Sequence, residues 1–350
     1  MNYVGVDYHK RYSVATVMNE AGETLAQRRL DNRLTAFRSF LEPFGEFKAT
    51  VEATRNWSVP VEILEDLTDQ VVLAHPYLTK AIAKHKFHSD KIDSRILTEM
   101  LRVNWLPSAY LRNRVNRDQQ LILRVRCYFV RLRTSIKNRI HDLVDRQAEP
   151  IRETAQTFSD LFGKKGLAWI RGLALDYPYQ ALLAKLLAAY DVLTEQIKGS
   201  DDLVKELYQA DPSCQLLASI PGFGKFFAVL VNVEIGDIKR FPNSGRLCSY
   251  AGVVPWNESS GGKVWHGSLT KQSNQWLRWA FIEAAIPAIV GDEGLKSYYD
   301  YYRWRKDVKT AKVVIGRRLC CIAYRVLAQQ RPYYDQKPRV KTSREDRAKQ

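Results

Sequence analysis

The chain has no long apolar run. Phe226 to Val231 is among its longest uninterrupted stretches, far short of the about 18 residues that a membrane-spanning helix needs. It has little cysteine: Cys127, Cys214, Cys248, Cys320 and Cys321 form an odd set of five with no CxxC pair. That argues against a disulfide framework or a zinc ribbon and for a reduced, cytoplasmic protein. The six histidines are too scattered to propose an imidazole metal site. The opening MNYVGVDYHK carries an acid inside its first apolar run, so it lacks a signal-peptide layout. There is no internal repeat and no low-complexity tract. A hydrophobic content of 45% with 26% charged residues excludes wholesale disorder, and 350 residues suggest two or three domains.

What the chain does have is positive charge. The net charge is +16, which points to a polyanionic partner. It is concentrated in two places: residues 113–141 hold eight bases and one acid, and residues 296–350 hold 16 bases and five acids. A basic surface alone also serves solubility. Two concentrated blocks in a chain with eight Trp and 18 Tyr favour nucleic acid.

The first 30 residues alternate like three short strands, with a turn at Asn19-Glu20-Ala21-Gly22. A helix over 34–41, a strand over 48–53, a helix over 59–67 and a strand over 71–75 follow, and residues after Pro76 look helical as far as Val103. This is the order of a ribonuclease-H-like α/β domain, assigned to residues 1–112. From Asn116 to Leu143 a narrow apolar seam recurs at steps of three or four, which predicts a long helix. Arg117, Arg124 and Arg131 share one spacing of seven, and Arg126 and Arg133 another, so each set lines one face. Each arginine is as readily a solvated coiled-coil flank as a phosphate contact. An amphipathic stretch over 182–207 is expected to return antiparallel. Residues 113–210 are therefore read as a helical coiled-coil arm with an irregular tip around 157–176. Residues 211–330 form a mainly helical domain, and 331–350 a basic, disordered tail.

Asp7 lies inside an apolar strand, where a charge is costly unless it faces a polar site or binds a cation. Glu52 repeats the arrangement at the end of KATVEA. In a ribonuclease-H-like sheet the two strands are neighbours, which brings the carboxylates together. Asp90 and Asp93 share a helix face; alone, Asp-x-x-Asp is usually a helix start, with Ser89 or Asp90 as N-cap. Together the four acids suit Mg²⁺ or Mn²⁺, ions that activate or neutralise oxygens during phosphodiester displacement. His85 and His88 are surface residues or phosphate contacts.

In Ser219-Ile220-Pro221-Gly222-Phe223-Gly224-Lys225, a Gly-x-Gly turn between helices exposes backbone N–H groups at a helix N-terminus. It looks like a helix–hairpin–helix element gripping a DNA backbone through Gly222, Gly224 and Lys225, or it is a plain interhelical turn. Further on, Ser259-Ser260-Gly261-Gly262-Lys263 reads as a flexible loop, followed by Lys271 and Arg278. On composition it is a surface loop. It could also hold a nucleophilic serine, with a metal or a neighbouring base lowering the cost of deprotonation.

The order Asp7-Tyr8-His9-Lys10, Val51-Glu52-Ala53-Thr54, Asp90-x-x-Asp93, Ile220-Pro221-Gly222, Arg240-Phe241, Tyr250-Ala251-Gly252-x-x-Pro255, Ser260-Gly261 and Lys271 resembles the insertion-sequence family numbered one hundred and ten. These are the DEDD transposases, kin of the Piv DNA invertase. The resemblance spans roughly residues 3–285. It implies a RuvC-like domain with the metal-binding tetrad Asp7, Glu52, Asp90 and Asp93, a coiled-coil arm, and a transposase domain whose nucleophile is Ser260, or Ser259 if the loop register slips. It also implies joining of donor and target DNA through phosphoserine intermediates, a homo-oligomer (dimer or tetramer), and a structured guide (bridge) RNA contacting the basic arm. Nucleic-acid contacts are then expected at Lys10, Arg117, Arg124, Arg126, Arg131, Arg133, Gly222, Gly224, Lys225, Lys263, Lys271 and Arg278. Two departures stand out: Arg55 where a small Gly often follows the glutamate motif, and Ser273 in place of the usual Gly between Lys271 and Asn274. The rivals to a recombinase are a metal-only junction nuclease and a non-catalytic nucleic-acid-binding protein.

Overall fold

The structure is a computed structural model that describes residues 1–82, 89–260, 263–270 and 272–333, with the backbone alone over 256–268. His85, His88, Gly261, Lys271 and the tail 334–350 lie outside the described residues, as do the side chains of Ser259, Ser260 and Lys263. The chain divides into two compact units, Met1–Arg114 and Val115–Gln350.

The first unit is built on a six-stranded sheet in the order β3-β2-β1-β4-β5-β6. The strands are β1 (Asn2–Tyr8), β2 (Tyr12–Met18), β3 (Thr24–Asp31), β4 (Phe47–Glu52), β5 (Val71–Ala74) and β6 (Ser108–Ala109). The first three form the expected antiparallel meander, while β4 lies parallel to β1 and β5 parallel to β4. Strand β6, too short to show a period in sequence, closes the far edge antiparallel to β5. A mixed sheet in this order fits a ribonuclease-H-like domain. Its helices are α1 (Leu34–Leu41), α2 (Ser58–Glu65), α3 (Pro76–Ile82) and α4 (Asp90–Arg102). Phe37, Leu41, Val61 and Leu64 of α1 and α2 are buried in one cluster with Val4, Val6, Ala49 and Val51 of the sheet. Each fully buried side chain of this size contributes about 1.5–3 kcal/mol.

Helix α4 is admitted by a missing side chain. A Cβ on Gly5 would lie 2.4 Å from Thr98 Oγ1 and 2.5 Å from the Ser94 carbonyl oxygen, so α4 rests directly on the β1 backbone. Polar contacts then fix its height. Thr16 and Ser94 hydroxyls meet at 2.8 Å, and Gln27 donates both to Thr16 Oγ1 and to the Lys91 carbonyl.

The second unit begins with the long helix α5 (Arg114–Asp145), then α6 (Glu149–Gln156), α7 (Lys164–Gly172) and α8 (Tyr179–Ala210). Helix α8 runs back along α5: Arg126 pairs with Asp201, while Ile140 and Tyr190 share a separate core with Phe162 and Ile170. The tip read as irregular thus contains α7. Helices of eight or nine residues span barely two turns, too few for the period to register, yet Ile170 is fully buried.

The rest of the unit comprises α9 (Pro212–Ala218), α10 (Lys225–Ile235), α11 (Ser244–Ala251), α12 (Gln275–Gly291), α13 (Glu293–Arg305) and α14 (Val308–Gln329) around one core. Strands β7 (Pro255–Ser260) and β8 (Lys263–Leu269) form a hairpin between α11 and α12. The segment expected to be a flexible loop is therefore largely strand: Ser259 pairs with Val264 and Ser260 with Lys263. Pairing across a two-residue connection supplies the order that polar, glycine-rich composition conceals. Among the described residues no helix is long and apolar enough to cross a membrane.

Candidate active site

Parallel pairing of β1 with β4 sets Val6 opposite Val51, so Asp7 and Glu52 follow one residue later on neighbouring strands. In a strand, residues two apart point to the same face. Gly5 and Asp7 therefore share the face on which α4 lies, and with Ser94 and Thr98 seated over Gly5, the first turn of α4 reaches Asp7. Ser89 caps that turn, its hydroxyl accepting from the Ile92 amide at 3.3 Å. The helix-start reading and the acidic-site reading of this segment thus hold together: Ser89 serves the backbone and leaves the carboxylates of Asp90 and Asp93 for other partners.

His9 Nε2 lies 3.1 Å from Asp7 Oδ2 and 3.3 Å from Asp90 Oδ1. The Tyr12 hydroxyl donates to Asp90 Oδ2 at 2.9 Å, and the His9 backbone is held by Asn32, whose amide donates to its carbonyl. Burial pushes the Asp7 carboxyl above its ordinary range; His9 works in the opposite direction, and the charges of Asp90 and Asp93 add to the rise. Glu52 is also raised, first by burial and then by repulsion from Asp7 and Asp93. Asp90 is lowered, chiefly by the Tyr12 hydroxyl. These interactions tie all four predicted acids into one electrostatic cluster.

His9 and Tyr12 were not singled out from sequence as site residues. The signal for His9 was available, since it stands two residues after Asp7, just past the end of β1. Gly5 gave one as well, because a lone glycine inside a strand marks close backbone approach.

In the second unit, the hairpin base is tied to α12. Arg278 donates to the Thr270 carbonyl and to the Ser273 hydroxyl, and burial lowers its pKa. Gly252, at φ +67°, leaves no room for a Cβ beside the same pair. Among the other predicted contacts, Arg117 is buried, Lys10, Lys225 and Arg131 are exposed, and Arg133 is half-buried. Arg124 pairs with Glu234 and Arg126 with Asp201. Gly222 turns inward at φ +83°, where a Cβ would lie 2.3 Å from the Ala284 carbonyl oxygen, whereas the space around Gly224 is open.

A family model for DEDD transposases of the IS110 type matches residues 4–148, and one described as "Transposase IS116/IS110/IS902 family" matches residues 214–300. The chain belongs to the IS110 family of transposases. It is 25% identical over 315 residues to an uncharacterized 43.6 kDa protein of insertion element IS110 from Streptomyces coelicolor, covering 90% of this chain and 68% of that protein. It is 26% identical over 296 residues to the transposase of element IS1328 from Yersinia enterocolitica, covering 81% of this chain and 82% of that one. A pilin gene-inverting protein of Moraxella bovis is 31% identical over 150 residues, 40% of this chain and 46% of that protein.

The acidic end of this IS110-family chain fits a divalent cation. Asp7, His9 and Asp90 each offer one ligand atom, all within 4.8 Å of one another. Burial first, and then repulsion from neighbouring acids, raises the Asp7 and Glu52 carboxyls, and a bound cation would offset both effects. Hard carboxylate oxygens suit Mg²⁺ or Mn²⁺. Of the two departures from the family pattern, Ser273 has a visible partner in Arg278. Arg55 is exposed, and the left-handed residue of that turn is its neighbour Asn56, at φ 61°.

Proposed function

We propose that this transposase cuts and rejoins DNA by two transesterifications at Ser260, with Mg²⁺ or Mn²⁺ held by Asp7, Glu52, Asp90 and Asp93. The observation that carries the reading is the gathering of half-buried, mutually repelling carboxylates where two neighbouring strands end. In the first step Ser260 Oγ bonds to the scissile phosphorus, the bond from phosphorus to a deoxyribose oxygen breaks, and the serine proton passes to the hydroxyl released. In the second, a deoxyribose hydroxyl of the other DNA attacks the phosphoserine, and Ser260 leaves and regains a proton. Each phosphodiester broken is replaced by one formed, so no hydrolysis is needed. When bound, the cation neutralises charge building on the phosphodiester oxygens. His9, between Asp7 and Asp90, orients both carboxylates.

Donor and target DNA are the substrates, a guide RNA the proposed source of sequence choice, and a dimer or tetramer the working form. In this reading α5 and α8 make a coiled-coil arm that contacts the RNA, and Ser219–Lys225 grips a backbone as a helix–hairpin–helix. Ser259 is the alternative nucleophile.

Covalent capture tests the chemistry. Protein co-expressed with its locus RNA is incubated with Mg²⁺ and element-junction DNA and resolved in SDS. The expected result is a protein–DNA adduct in wild type that Ser260→Ala and Asp7→Ala both abolish. Cleavage without an adduct contradicts the serine step and indicates a metal-only nuclease. An adduct that survives Ser260→Ala but is lost in Ser259→Ala moves the nucleophile by one residue.

A further inference from the structure

Within the second unit a cavity of about 760 Å³ lies between α5, α10 and the start of α12. Its walls include Arg126, Arg131, Phe226, Phe227, Trp276 and Trp279. Trp279 is the hub of the aromatic wall: Phe227 meets it at 5.3 Å and 72°, Trp276 at 5.9 Å and 81°, and Phe226 at 6.1 Å and 66°. Edge-on contacts of this kind do not bury one ring face on another. Trp279 is 38% exposed, so part of its ring remains open beside these contacts.

The wall is built to stay in place. Glu234, 1% exposed, binds Arg124 and accepts from Gln120 and Asn274. Asn274 caps α12 by accepting from the Trp276 and Leu277 amides. Arg124 in turn lies 3.7 Å over the Trp276 ring. Arg126 is held over Phe226 at 4.2 Å by its bond to Asp201. Arg131, by contrast, is exposed, 5.5 Å from the Trp276 ring, and pairs with no carboxylate among the described residues.

The volume is in the range of small-molecule sites. A neutral aliphatic occupant would leave the guanidinium side unused, and an acyl chain would leave the flat ring faces without a stacking partner. A flat aromatic plate carrying an anion would use both walls, because bases stack on aromatic rings and arginine meets the backbone phosphate. We infer that this cavity takes an unpaired base of a single-stranded nucleic acid, stacked against Trp279, with the adjoining phosphate at Arg131. The inference rests on the recombinase reading only in taking nucleic acid as the partner. Exchange of single strands between two duplexes, or pairing of an RNA with one of them, exposes unpaired bases, of DNA or of RNA, and both present this chemistry.

The experiment measures equilibrium binding of full-length Ser260→Ala protein, which removes the serine step, to labelled 12-mer single-stranded RNA, single-stranded DNA and the matching duplex. Trp279→Ala is expected to weaken binding of one or both single strands by about 5- to 100-fold, the range of a lost stacking contact, and to leave duplex binding within about twofold. Trp279→Phe should recover most of the loss, and Arg131→Gln should reduce the salt dependence of single-strand binding. Loss confined to RNA or to DNA supports the site and names its source. Equal loss on duplex and single strands, or none on either, overturns it. So does loss of the oligomer without selective loss of single strands, which would make a second copy of the chain the occupant. As a measurement without the variants, 5-iodouracil oligonucleotides cross-linked to the Ser260→Ala protein should yield α12 or α10 peptides bearing Trp276, Trp279 or Phe226; adducts only elsewhere contradict the site. Failure here leaves the adduct assay untouched, and failure of that assay leaves single-strand selectivity to be read separately.

Discussion

Asp7 and Glu234 are both acids set in apolar elements, and the protein treats them in opposite ways. Glu234 is the more deeply buried, 1% exposed against 18% for the Asp7 side chain. Yet Glu234 receives a guanidinium and two amide donors, from Arg124, Gln120 and Asn274. Asp7 has one imidazole, shared with Asp90, and three further carboxylates in its electrostatic field when Glu52 is counted. One acid is a structural rivet joining α5, α10 and the cap of α12. The other sits in charge left short of compensation, the state a divalent cation relieves. Burial of a carboxylate therefore says little about function until its partners are known.

The largest effect expected from breaking this contrast is at Asp7. Asp7→Asn should lower recombination by a factor on the order of 10³ or more while leaving the metal-free protein at least as stable at neutral pH. The sign follows from the raised carboxyls. A folded pKa above the unfolded one means that the folded state holds the proton more tightly, so metal-free stability falls as pH rises from about the ordinary values, 3.8 for Asp and 4.5 for Glu, through the raised ones. Thermal melts across pH 4–8 in EDTA should show this fall in wild type, less of it in Asp7→Asn, and its reversal in wild type by Mg²⁺.

Glu234→Ala reverses the pattern. Leaving Arg124 half-buried without its carboxylate is expected to cost about 3 kcal/mol or more and to lower the melting temperature by on the order of 10 °C, with or without metal. Gly5→Ala should come next. Its methyl meets backbone atoms of α4, so about 1–3 kcal/mol of destabilisation is expected, together with weaker metal binding as Asp90 and Asp93 are pushed from Asp7. The smallest effect is Tyr12→Phe. Without the phenolic donor Asp90 titrates higher, so the acidic limb of the pH–rate profile should move toward higher pH, with activity at pH 8 changed by only a few-fold.

The contrast also explains what sequence could reveal. Asp7, Glu52 and the Asp90-x-x-Asp93 pair were legible because acids in strands and at a helix start stand out, and strand order placed them together. Glu234 carries the same signal at the end of an apolar helix, and only the fold shows its donors arriving from residues 120, 124 and 274. Tyr12 was hidden in the same way, since its bond spans 78 positions. The serine segment was misread for a local reason: Ser-Ser-Gly-Gly-Lys has loop composition, and its strand character comes from pairing across Gly261-Gly262. The Arg124 to Arg131 spacing was seen as a charge pattern, but the aromatic wall it faces comes from α10 and α12, about 100 to 150 residues later.

Cation binding by the acids at Asp7 is the property on which the proposed chemistry depends most directly. Metal-free wild-type protein and the Asp7→Asn variant would be titrated with Mn²⁺ and free ion followed by electron paramagnetic resonance. The expected result is a class of Mn²⁺ sites in wild type that Mg²⁺ displaces and that is lost in Asp7→Asn. Equal Mn²⁺ uptake by the two proteins would contradict it.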